Sequence, residues 1–102
     1  MAWKVDRWNE LRNDRATAVR SFANPRLAFD AAWDQMGDFI KRSIRNPSAG
    51  DRDEPSDEQQ FKIIVETRAG RKVGFELRYD YFIGGPNNDW ETNSIFWRIR
   101  EE

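Results

Sequence analysis

Phe61-Lys62-Ile63-Ile64-Val65-Glu66-Thr67-Arg68-Ala69-Gly70-Arg71-Lys72-Val73-Gly74-Phe75-Glu76-Leu77-Arg78-Tyr79 alternates apolar and charged residues on either side of a break at Ala69-Gly70. The odd positions Phe61, Ile63, Val65, Val73, Phe75, Leu77, Tyr79 and Tyr81 are apolar. A period of two marks strands with one buried face. A three-residue loop, Arg68-Ala69-Gly70, puts the glycine last, where a type I turn with a G1 bulge needs positive φ. That loop pairs Val65 with Val73, Ile63 with Phe75 and Phe61 with Leu77. On the other face it sets Glu66 against Lys72 and Lys62 against Glu76, opposite charges contributing roughly 0.2–1 kcal/mol each. A slip of two residues sets Lys62 against Arg78 instead, so the charge-matched register is the expected one.

Downstream, Gly84-Gly85-Pro86-Asn87-Asn88-Asp89 is dense in turn formers, and the chain reverses there. A third strand is expected from Ser94 to Arg100, with Ile95, Trp97 and Ile99 on one face. Placing Leu77 opposite Trp97 brings Glu76 opposite Arg98, again an opposite-charge pair.

Upstream, Asn46 to Glu58 holds nothing to bury, contains two prolines and is rich in acids, which reads as a flexible connection. Before it, Asn24-Pro25 is a helix start, an N-cap followed by proline at the first helical position. Phe29, Ala32, Trp33, Met36, Phe39, Ile40 and Ile44 then recur at helical spacing, predicting a helix over Pro25–Arg45. Asp6 is placed as the cap of an earlier helix running to about Phe22, with Trp8, Leu11, Val19 and Phe22 on its apolar side. Trp3 belongs to a lead-in that docks on the body.

The expected fold is a single α+β domain over 1–102. Residues 1–45 form a helical part, 46–59 a flexible acidic linker and 60–100 an antiparallel sheet. Two N-terminal helices pack on one face of a three-stranded antiparallel meander. With 102 residues and 38% hydrophobic content the core is modest, and five tryptophans must supply much of the burial.

Composition narrows the chemistry. There is no cysteine and no histidine, which removes disulfides, zinc–thiolate sites and the usual nucleophile–histidine triads. Asp30, Asp34 and Asp38 read as a solvated helix face rather than as acid–base pairs. Asp51, Asp53 and Glu54 lack the glycine and terminal glutamate of a calcium loop, and Gly84-Gly85-Pro86 lacks the Gly-Lys-Ser/Thr of a phosphate loop. No cofactor and no metal is assigned, and the chain is read as a non-enzyme. The N-terminus has no signal-peptide pattern and no segment reaches the length of a membrane span, so a cytoplasmic protein is expected. A net charge of −1 supplies no general attraction to nucleic acid.

What remains is binding. Phe82, Asn87, Asn88, Asp89 and Trp90 sit around the reversal, and Ile64, Phe96, Arg78 and Arg98 lie on the face opposite the core. Aromatics bordered by arginine are the composition of interface anchors. The expected function is a small protein-binding inhibitor or regulator of the immunity or phage-antagonist type, which occludes a partner surface. The alternatives are self-association, including a homodimer, with a small-ligand pocket lined by Trp33, Tyr79, Tyr81 and Trp97, and single-stranded nucleic acid on the outer sheet face.

Overall fold

The structure, a computed structural model, describes residues 2–45, 61–84, 86 and 89–102. Along the chain these form β1 (Trp3–Asn9), β2 (Asp14–Thr17), α1 (Pro25–Arg45), β3 (Phe61–Arg68), β4 (Arg71–Gly84) and β5 (Asp89–Glu101). The strands make one antiparallel sheet in the order β2-β1-β5-β4-β3. The domain is α+β and mostly sheet. The expectation of two helices on a three-stranded meander is therefore corrected: there is one helix among the described residues, and two further strands extend the meander beyond β5. The acidic connection expected at 46–59 lies outside the described residues.

The segment read as a first helix is the β1–β2 hairpin. The pattern Trp3-Lys4-Val5-Asp6-Arg7-Trp8-Asn9 buries Val5 and Asn9 on the helix side, while Trp8 stacks on Phe96 on the other. Asn13 turns the chain at φ 49°, with its N–H donating to the Glu10 carbonyl at 3.1 Å. Asparagine tolerates that left-handed region better than most residues. Beneath the turn, the Asn93 amide donates to Asn9 Oδ1 (3.1 Å) and to Tyr79 Oη (2.8 Å), and its oxygen accepts the Leu11 N–H (2.9 Å). Buried polar groups are tolerated when so paired. The supposed helical stripe dissolves, since Val19 is 93% exposed and Leu11 40%. Past β2 the chain returns beside β1, with Trp3 and Phe22 exchanging backbone hydrogen bonds at 2.9 Å.

Pairing decides this outcome. A helix over 6–22 has few apolar positions to bury, whereas β1 forms a ladder with β5 from Trp3↔Glu101 to Asn9↔Ile95. That ladder satisfies backbone groups along β5 from Ile95 to Glu101.

Both expected registers move by two residues. Ala69 (φ 52°) and Gly70 (φ 76°) both have positive φ, so Arg68 and Arg71 close a two-residue turn of the primed kind. A register shift follows at Glu66/Thr67, and beyond it Val65 faces Phe75, Ile63 faces Leu77 and Lys62 faces Arg78. The charge-matched alternative loses because Arg78 finds its carboxylate along its own strand, Glu76 at 3.1 Å. A weak cross-strand ion pair does not outweigh turn geometry and core packing. Likewise Phe75, not Leu77, lies opposite Trp97, and Glu76 lies opposite Phe96 rather than Arg98. The parity of the faces is unaffected, because both shifts are even.

Helix α1 has its predicted bounds. Asn24 Oδ1 accepts the Leu27 N–H at 2.9 Å, an N-cap in its usual geometry. Ala28, Phe29, Ala32 and Met36 turn inward onto Val5, Phe75, Leu77, Tyr79, Tyr81, Ile95, Trp97 and Ile99, and this is the core. The helix packs over β1, β5 and β4 and leaves β3 outside its span. No helix among the described residues is long and apolar enough to cross a membrane.

Candidate functional site

The face away from α1 is a hollow of about 690 Å³. It is built from the even positions of β1, β3, β4 and β5 and the odd end of β2. At its floor, Trp8 and Phe96 face each other across the β1–β5 ladder and stack, with centroids 5.3 Å apart and planes 20° from parallel. The Arg15 guanidinium lies over the Trp8 ring at 4.8 Å from the centroid. This is a cation–π contact worth ~0.5–1 kcal/mol at an exposed site. Trp8 Nε1 is buried without a hydrogen-bond partner among the described residues.

Charge on this face is balanced locally. Arg100 Nε donates to Asp6 Oδ2 at 2.7 Å, and Thr17 Oγ1 donates to Asp6 Oδ1 at 2.6 Å. Arg98 lies 3.6 Å from Glu66, and Arg78 and the Ser94 hydroxyl share Glu76 at 3.1 and 2.7 Å. Each pair is partly exposed, so its value is orientational more than energetic.

Gly74 lies between two of the residues that line the hollow. It lies opposite Arg98 on one side and Glu66 on the other. A Cβ there would come within 2.5 Å of the Trp97 carbonyl oxygen, so only glycine fits this close approach.

Ile64, Phe96 and Arg98 therefore do meet on one surface, with Ile64 37% exposed, and all three line the hollow. Arg78 shares the face and pairs with Glu76 on the hollow's wall. The remaining candidates are elsewhere. Trp90 and Asp89 belong to β5 rather than to a loop, with Phe82 opposite Trp90 and Gly84 opposite Asp89. Trp90 is six residues from Phe96 along one strand, about 20 Å. It forms a second, separate patch, 46% exposed. Asn87 and Asn88 lie outside the described residues, as do Asp51, Asp53 and Glu54.

Sequence reasoning missed Trp8, Arg15 and Asp6 as parts of this face, while Arg100 falls on it by the alternation of its own strand. All three missed residues lie within the segment expected to be a helix. The alternation of Trp3-Lys4-Val5-Asp6 and the turn pair Asn13-Asp14 are the signals that could have found them.

Of the side chains expected to line a ligand pocket, Tyr79, Tyr81 and Trp97 are packed in the core. Tyr81 Oη donates to Glu91 at 2.8 Å and Trp97 Nε1 to Gln35 at 2.8 Å. Trp33 sits at the helix margin, 38% exposed, with its ring edge-on to Phe75. A smaller cleft of about 350 Å³ opens between α1 and β1 and carries Arg7, Asp14, Gln35 and Asp38. Asp30, Asp34 and Asp38 are exposed along α1. Among the described residues no group of three carboxylates is gathered for a metal ion.

Comparison with protein-family models, with curated proteins and with solved structures finds no match to this chain.

Proposed function

We propose that this chain is a non-enzymatic binding protein whose hollow outer sheet face seats a protruding segment of a partner protein. It acts there as an inhibitor or regulator by occluding that partner's surface. The observation that carries the reading is the Trp8–Phe96 stack on the floor of an open hollow, rimmed by arginines already paired to carboxylates. Aromatic and arginine side chains are the commonest anchors of protein interfaces. A rim of balanced charge suits a mixed polar surface better than a polyanion. A cysteine-free composition agrees with a cytoplasmic setting.

One observation favours a second reading, binding of single-stranded nucleic acid: two stacked rings with arginine nearby on an open sheet are also a base-stacking platform. The two readings part in one experiment. Full-length tagged protein is used to capture partners from lysate, beside Arg15→Glu/Arg98→Glu and Phe96→Ala variants. The expected result is one stoichiometric protein that survives nuclease and moderate salt. It is lost or weakened by roughly 30-fold in the variants, the scale of an interface anchor. Trp90→Ala should leave it bound. A partner retained equally by the hollow variants would overturn the reading. Nucleic acid that elutes steeply with salt would replace it with the second.

A further inference from the structure

Among the described residues nothing pairs with the outer edge of β3, and it is the least protected part of the sheet. The opposite edge, β2, is four residues long and charged, as edge strands usually are. β3 is eight residues long, has no proline or glycine, and carries Ile63, Ile64 and Val65 in succession at 39%, 37% and 39% exposure. Helix α1 does not reach it.

The order of residues along β3 says what fits there. Lay a second copy of Phe61–Arg68 antiparallel beside the first, with Ile64 opposite Ile64. Lys62 then faces Glu66 of the second copy, and Glu66 faces its Lys62. On the helix side, Ile63 faces Val65 and Val65 faces Ile63. The strand is its own complement. A slip of two residues toward the C-terminus sets Lys62 against Arg68 in both places, so charge selects the Ile64-centred register.

The charge pattern within the protomer points the same way. Lys62 lies opposite Arg78, which already holds Glu76 at 3.1 Å. Among the described residues Lys62 has no carboxylate, and the Ile64-centred pairing supplies one. We infer that the protein self-associates through β3, two copies forming one continuous antiparallel sheet of ten strands about a two-fold axis at Ile64. This arrangement is isologous and closed. Because opposed residues share a face, both helices lie on one side of the joined sheet and both hollows on the other.

Sedimentation equilibrium from low micromolar to the highest soluble concentration tests this, on full-length protein. The wild type should be a reversible dimer. Lys62→Glu and Glu66→Lys each create two like-charge pairs and should weaken it roughly tenfold or more. The double variant Lys62→Glu/Glu66→Lys should restore it. Lys62→Glu places a carboxylate opposite Arg78, so the protomer keeps its fold, and circular dichroism checks this. A wild type that stays monomeric throughout overturns the inference. So does a dimer with the same dissociation constant in both single variants, or one that the double variant fails to restore.

Discussion

Gly74 holds β4 against β5 at a distance no other residue permits. A methyl group at this position would lie 2.5 Å from the Trp97 oxygen, a backbone atom that cannot swing aside. Gly74→Ala must therefore push the two central strands apart beside the Phe75–Trp97 stack, whose centroids are 5.1 Å apart. The expected loss is about 1–3 kcal/mol, the range for overpacking a well-filled site, read by urea denaturation; unchanged stability would mean the strands have slack. Asn93 works at the same scale by a different route. It ties β5, β4 and the β1–β2 turn through three hydrogen bonds around one buried amide. Gly74 stands out in the sequence only as a dent in the outer face beside Ile64, and Asn93 not at all, because the demand on each comes from an atom far along the chain.

Among the elements, α1 is the most legible. Its start signal and its stripe are both local, and Pro25–Arg45 is where they put it. The strands are legible as strands but not in register. Alternation assigns faces, and those assignments stand for β4 and β5, whereas Ile63 and Val65 of β3, expected in the core, are each 39% exposed because α1 does not cover them. Register is set by turn type and bulges, and Ala69 in the left-handed region is a residue that turn statistics do not favour. The β1–β2 hairpin escapes the alternation rule because it has apolar residues on both faces, Val5 toward α1 and Trp8 toward the hollow. Both are needed, since β1 lies inside the sheet. Two substitutions separate a hairpin here from a helix. Val19→Asp should change stability by less than about 0.5 kcal/mol, the range for an exposed site. Val5→Asp, at 5% exposure, should cost several times that, since it buries a charge. A thermal melt of each variant is sufficient, and a large loss from Val19→Asp would favour a packed helix there.

For the whole molecule, the decisive feature is that β1 and β5, far apart in sequence, are neighbours and join the β1–β2 hairpin to β5, β4 and β3 in one sheet. The Glu102 N–H donates to the Ala2 carbonyl at 2.8 Å, continuing the ladder to its limit. Deleting residues 2–9 removes Val5 from the core and Trp8 from the hollow, and strips β2 of the strand it pairs with. Loss of a cooperative thermal transition is expected from calorimetry of the truncated chain. A sharp transition that persists would make β1 an accessory to a domain complete without it.

The candidate site divides in the same way. Ile64, Phe96, Arg78 and Arg98 can be assigned to one face by parity alone, and three of them meet in the hollow. Trp8 and Arg15 join them only because β1, far away in the sequence, lies against β5, whereas Arg100 shares the parity of Phe96 and Arg98 on β5 itself. By itself the sequence determined the inward faces of β4 and β5, where α1 begins, and that the chain holds no cysteine and no histidine. These are properties of a residue and its near neighbours. Only the tertiary structure decided which strands adjoin, in what register, and which aromatic rings stack. Those choices depend on backbone groups finding partners dozens of residues away, and no local pattern encodes them.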